Sequence, residues 1–231
     1  GVARGRHVVR GDLGHLGDGA QDHAELLGVV VEGLGREVDP GEPREVGDVA
    51  RAGQAVSHRS GTRMGPEGIR KASAENAWGP FWPWNFDPFD TLAVVDYGDC
   101  FFDWGRKEDF PQRLEDHATE IISSGAEMIS LGGDHYVTYP LLRAHAKKHG
   151  PLSLIHFDAH RDVEPDDGSR IDHGTMFGYA VKEGLIDPKK SVQIGIRTVF
   201  AGERTYGFKI VYADEVHDAT PAQMADIIRN V

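Results

Sequence analysis

Two apolar runs, Ala126-Glu127-Met128-Ile129-Ser130-Leu131 and Leu152-Ser153-Leu154-Ile155-His156-Phe157, each break at once into carboxylates and imidazoles, with a helical pattern between them. The first is followed by Gly132-Gly133-Asp134-His135 and the second by Asp158-Ala159-His160-Arg161-Asp162. A strand, a crossover helix and a second strand predict a parallel sheet, and ligands of such sheets bind beyond the carboxyl ends of the strands. Asp158, His160 and Asp162 are spaced by two, which in an extended segment directs all three side chains to one face. Carboxylate and imidazole donors without a thiolate predict a divalent cation such as manganese rather than a closed structural zinc site. The only cysteine, Cys100, lies outside both stretches.

The chain divides near residue 57. Residues 1–57 contain no Lys, Ile, Phe, Tyr, Trp, Asn or Thr, and glycine recurs too often for stable elements. They are expected to form a disordered or non-homologous extension, read either as a flexible tail or as the product of a GC-rich sequence translated outside its frame. His7, His15 and His23 are expected to be solvated. Residues 58–231 are expected to form the domain.

Within it, Pro66 marks the start of a helix, and 78–89 read as a compact aromatic loop whose expected role is packing or an oligomer contact. Strands are expected at Thr91 to Asp96, Ala126 to Leu131, Leu152 to Phe157, Ser191 to Ile196 and Lys209 to Tyr212. Helices are expected from Phe110 to Ser124, from Tyr139 to His149 and from near Thr220-Pro221. The alternation predicts α/β architecture, a mostly parallel sheet with helices on both faces. A formal net charge of −12 argues against nucleic acid and is compatible with a cationic substrate. No window reads as membrane-spanning and no signal peptide is evident, so a cytoplasmic location is expected. A single cysteine agrees with a reducing compartment.

Six stretches, in order, carry a family resemblance: Gly61-Thr62-Arg63-Met64-Gly65-Pro66, Trp84-Asn85-Phe86-Asp87, Leu131 to His135, His156 to Asp162, Asp172-His173-Gly174-Thr175-Met176-Phe177 and Gly184-Leu185-Ile186-Asp187-Pro188. Ser191 to Thr198 extends the match. From about Arg59 onward the chain resembles the ureohydrolase family that includes arginase, and its agmatinase branch above all. The resemblance implies a three-layer α/β/α arginase-like fold, two Mn2+ ions and hydrolysis of a guanidinium group to urea. It implies that His135 binds one manganese, His160 the other, that Asp158 bridges them and that Asp162 adds a second carboxylate on the His135 ion. It further implies that His173 shuttles protons. Asp134 is expected to orient His135 or the adjacent backbone. His156 shares the parity of the ligands but precedes them in the strand, so a buried or hydrogen-bonded role is expected.

The chemistry fits this inventory. A guanidinium is a poor electrophile, so water must become hydroxide near neutral pH, which two cations sharing one water achieve. The bridging hydroxide would attack the guanidinium carbon, and a histidine would protonate the departing amine. Glu164 stands where arginase-like members place an asparagine that reads the substrate's carboxylate end. Glu164, with Asp166 and Asp167, would repel that carboxylate and favour a substrate ending in an ammonium. Agmatine, giving putrescine and urea, is therefore the expected substrate. A guanidino acid such as guanidinobutyrate stays open through Arg161 or Arg170, although strand alternation directs Arg161 away from the metals. Family members carry a further Asp-X-Asp strand that the sequence does not reach before Val231, so this chain is expected to be C-terminally incomplete, and a non-catalytic fragment is the remaining alternative. The resemblance implies a homo-oligomer, a trimer or hexamer, when complete.

Overall fold

The computed structural model describes residues 61–73, 83, 85–86, 96–103, 105–165, 168, 171–198, 201 and 204–231. The expected extension at 1–57 lies outside the described residues, as do strand positions 91–95, all of the aromatic loop except Pro83, Asn85 and Phe86, and Asp166, Asp167 and Arg170.

Helix α1 (Gly65–Ser73) follows a 3-10 turn at Thr62–Met64, with Pro66 buried in its first turn. Helix α2 (Phe110–Ser123) buries Phe110, Leu114, Ala118 and Ile122, a stripe at intervals of four that faces α3 (Thr138–His149). The reply from α3 is Leu141, Leu142 and Ala144, all essentially without exposure. Burial of a leucine of this kind stabilises by about 1.5–3 kcal/mol. Glu115, also buried, is compensated across the same contact by Arg143 (Nε to Oε2, 3.1 Å) and Lys147. A carboxylate so enclosed would be prohibitive without those two cations.

The sheet contains β1 (Ile155–Phe157), β2 (Val192–Ile196) and β3 (Lys209–Tyr212), all parallel, in the order β1-β2-β3. Helix α4 (Met176–Lys182) joins β1 to β2, burying Met176, Phe177 and Ala180 completely. Successive side chains leave opposite faces of a strand. Leu154 and Phe208 accordingly join the larger core with α2, α3 and α4, whereas Ile155, Ile194 and Val211 join a smaller core. The smaller core is covered by Val216 of α5 (Ala213–Asp218) and by Met224, Ile227 and Ile228 of α6 (Pro221–Arg229). Helices thus cover both sheet faces. Helix α6 begins at the expected Thr220-Pro221, and Thr220 caps it, with Gln223 N–H donating to its hydroxyl at 3.3 Å.

Two local expectations are corrected. Residues 126–131 join no ladder, and β1 is an edge strand among the described residues. The strand-like alternation survives, since Met128 packs on the core, Ile129 is 86% exposed and Ser130 is buried, but among the described residues no ladder hydrogen bonds pair it with a neighbour. Apolar periodicity sets which side chains are covered; it does not supply a neighbour for the N–H and C=O groups. The extended run expected to carry Asp158, His160 and Asp162 on one face is also absent, because β1 ends at Phe157. His160 N–H turns back to donate to Asp158 Oδ1 at 2.9 Å, and Asp162 adopts φ 54°, so the run coils.

Candidate metal centre

The centre is assembled from two loops, one following the extended run 126–131 and the other following β1. Gly133 passes against the backbone of Thr62 and Arg63, where a Cβ would come within 3.1 Å of Arg63 N and Cα, so any side chain here would push that backbone aside by a few tenths of an ångström. The turn then tightens into a 3-10 segment at His135–Val137, capped by Asp134, whose Oδ1 accepts from Tyr136 N–H at 3.0 Å. His135 Nδ1 lies 3.3 Å from Thr138 Oγ1, which leaves Nε2 facing inward. The second loop is braced by β2. Asp158 N–H donates to Ile194 O at 3.1 Å, and a bulge between Ile194 and Ile196 places Gly195 at φ 90°, close under Asp158 O. Such bulges re-aim neighbouring side chains. Farther along, Arg197 and Thr198 N–H groups both donate to Ala159 O.

His135, His156, Asp158 and Asp162 converge, each offering a donor atom within 4.8 Å of the others. His135 Nε2 lies 3.1 Å from Asp162 Oδ2, 3.7 Å from Asp158 Oδ2 and 3.2 Å from His156 Nε2. His156 Nε2 is 3.5 Å from Asp158 Oδ2 and 3.6 Å from Asp162 Oδ2. A cation with bonds of about 2.1 Å would hold adjacent donors roughly 3.0 Å apart in octahedral and roughly 3.4 Å apart in tetrahedral geometry. The spacing therefore fits one divalent ion. Asp162 Oδ2 is buried without a hydrogen-bond partner, as an anionic oxygen reserved for a cation would be.

His160, expected as a ligand, stands apart from this group. Its side chain is 48% exposed, and Nδ1 lies 3.2 Å from Asp158 Oδ1. Asp158 consequently turns one oxygen to the four-donor cluster and the other to His160. The residue that sequence reasoning did not count among the donors is His156; the signal for it was its position two residues before Asp158. Phe177, fully buried, closes the floor beneath both inner imidazoles, with ring centroids 4.7 Å from His156 and 5.8 Å from His135.

His173 lies at the rim, 34% exposed, with Nδ1 3.9 Å from Asp134 Oδ1. Glu164 lies beside it, because its carboxyl carbon is 2.9 Å from the position a Cβ on Gly174 would take, and its N–H donates to Gly174 O. Arg161 is buried and forms no part of the donor group.

Electrostatics follow this arrangement. Burial opposes the charged form of Asp158, yet His156, the His160 N–H and the His135 field together hold its carboxyl well below the usual range. Burial likewise opposes a charged His135, but Asp162, Asp158 and Asp134 outweigh it and raise the imidazole. Asp134 is pushed up chiefly by burial, against the pull of Tyr136 N–H and of the two neighbouring histidines.

A profile described as the arginase family matches residues 50–231. An agmatinase from Chromobacterium violaceum is 53% identical over 180 residues, covering 77% of this chain and 55% of that protein. Among solved structures, a hypothetical agmatinase from Burkholderia thailandensis superimposes with TM-score 0.73 at 46% identity, covering 87% of this chain and 58% of that one. Proclavaminate amidino hydrolase from Streptomyces clavuligerus gives TM-score 0.66 at 34% identity, covering 76% of this chain and 60% of that one. The chain thus spans about half the length of the curated relatives it matches.

Proposed function

The chain belongs to the arginase family, and from that premise we propose that it carries the metal-binding part of a hydrolase converting agmatine to putrescine and urea. The observation that carries this reading is the convergence of His135, Asp158 and Asp162 at metal-donor spacing around a buried, unpartnered carboxylate oxygen. The likeness to proteins named agmatinase supplies the substrate.

His135 and Asp162 would hold one manganese ion and His160 the other, with the Asp158 carboxylate available to both. The two faces of the Asp158 carboxylate support this assignment. The donor set also suits manganese, since Cys100, the only thiol, is buried in the larger core. When bound, the cations supply a water acidic enough to attack a guanidinium carbon at neutral pH. The chain's own groups do the rest. Asp134 fixes the turn that presents His135. His173, at the rim and open to solvent, gives its proton to the departing amine. Glu164, beside His173, attracts the ammonium end of agmatine and repels a carboxylate in the same place. No helix among the described residues is long and apolar enough to cross a membrane. A cytoplasmic homo-oligomer belongs to the same proposal.

The test is urea release from agmatine, arginine and guanidinobutyrate, by this chain and by one extended to the length of its relatives. The extended chain is expected to prefer agmatine and to need manganese, with the 231-residue chain at least a hundredfold slower. Preference for arginine would overturn the assignment of Glu164, and urea release indifferent to manganese would overturn the metal centre.

A further inference from the structure

His156 and Gln193 face each other in register across β1 and β2, both buried, and their hydrogen bonds fix which nitrogen of the His156 ring carries its proton. Gln193 Nε2 lies 2.7 Å from Arg161 O. A backbone carbonyl only accepts, so the amide nitrogen of Gln193, not its oxygen, must face Arg161. Turning the amide over would set two oxygens against each other at that distance. The same Nε2 lies 3.2 Å from His156 Nδ1. An amide nitrogen donates and does not accept, so Nδ1 is the acceptor and the ring proton sits on Nε2.

That proton points into the donor cluster. His156 Nε2 is 3.2 Å from His135 Nε2, and the inner oxygens of Asp158 and Asp162 are 3.5 and 3.6 Å away. A metal ligand must present a lone pair, and this nitrogen has none to give. His135 is not constrained in this way, since the Thr138 hydroxyl beside its Nδ1 can donate as well as accept and so allows Nε2 to present a lone pair. The two stacked imidazoles, 5.4 Å between centroids, are therefore unequal despite their matching positions.

We propose that His156 is a positioning residue, a hydrogen-bond donor that orients the inner oxygen of Asp158 and binds no metal itself, with Gln193 setting its tautomer from the adjacent strand. With the His135 lone pair committed to a cation, the His156 N–H is left to Asp158. The proposal rests on the reading of this cluster as a metal centre and is independent of the substrate. Partners of this kind tune metal affinity by about 10–100-fold.

The test is long-range 1H–15N correlation of the histidine rings in the 231-residue chain, metal-free and titrated with zinc as a diamagnetic probe. The expected metal-free spectrum shows His156 protonated on Nε2; protonation on Nδ1 would overturn the proposal. On adding zinc, the His135 Nε2 resonance should move to the range of a ligand while His156 Nε2 keeps its proton. Loss of that proton would make His156 a ligand and overturn the proposal. Zinc that leaves His135 unmoved would overturn the metal centre instead, and the metal-free spectrum would still decide the tautomer. Substitution gives a second readout. His156→Gln retains an N–H near the Nε2 position and should keep zinc affinity within about threefold, whereas His156→Leu should lower it about 10–100-fold without changing the number of ions bound. Equal losses in the two variants would contradict a donor role.

Discussion

Asp162 Oδ2 lies 3.1 Å from His135 Nε2, yet that buried oxygen has no hydrogen-bond partner among the described residues. The two groups come from separate loops, and although the Asp162 charge raises the His135 imidazole, the oxygen itself is left without a donor. A buried carboxylate oxygen left in this state costs about 1–3 kcal/mol or more. A cation between the two removes the cost.

Asp162→Asn should therefore stabilise the metal-free chain by about 1 kcal/mol while abolishing the rise in Tm that manganese produces. Asparagine tolerates the positive φ at this position, so the backbone is not the variable. Thermal melts of both chains with and without manganese check this; a variant that still gains stability from manganese would remove Asp162 from the centre.

The stabilisation by manganese should grow as pH rises from about 5.5 to about 8. His135 is raised in the folded metal-free chain, so its contribution there is complete below the ordinary imidazole value and fades as pH climbs through the raised one. Asp158 is lowered, so its contribution holds above the ordinary carboxylate value and fades only as pH falls through the lowered one. Protons thus compete with metal at His135 across this window, whereas Asp158 stays charged throughout. The Tm difference between manganese-loaded and metal-free chain, measured in steps of pH, reads the effect; a difference independent of pH would contradict it.

Gly133→Ala should cost about 1–3 kcal/mol, because the new Cβ meets the Arg63 backbone, which cannot turn aside as a flexible side chain would. Urea unfolding measures the loss. Metal affinity should fall with it, since the displaced turn carries Asp134 and His135.

Thr220→Ala should cost about 1 kcal/mol by removing the α6 cap. It lies far in the chain from every donor of the centre, so metal affinity should be unchanged. Chemical unfolding and a manganese titration on one preparation test both halves.

Much of this was legible in the sequence where the determinant is local. Lys209–Tyr212 forms the expected strand, and the last helix starts at the expected Thr220-Pro221. The apolar stripe of α2 likewise declares its buried face. The convergence of His135 with Asp158 and Asp162 was legible as motif. What escaped depends on neighbours. Residues 126–131 have strand alternation but join no ladder among the described residues. Asp158, His160 and Asp162 do not share one extended face, because backbone turns at His160 and Asp162 override a period of two. The contribution of Gln193 to His156 arises from register between strands far apart in sequence, which no local pattern encodes.

The most direct test is manganese bound per chain at equilibrium, by dialysis and elemental analysis, for the 231-residue chain and its Asp158→Asn variant. Asp158 faces the inner cluster with one oxygen and His160 with the other, so removing its charge strips the carboxylate common to both positions. The account predicts manganese on the unaltered chain and at least tenfold weaker binding by the variant, with the fold retained. Equal manganese on the two chains would show that the metal is held elsewhere, and the centre described here would not stand.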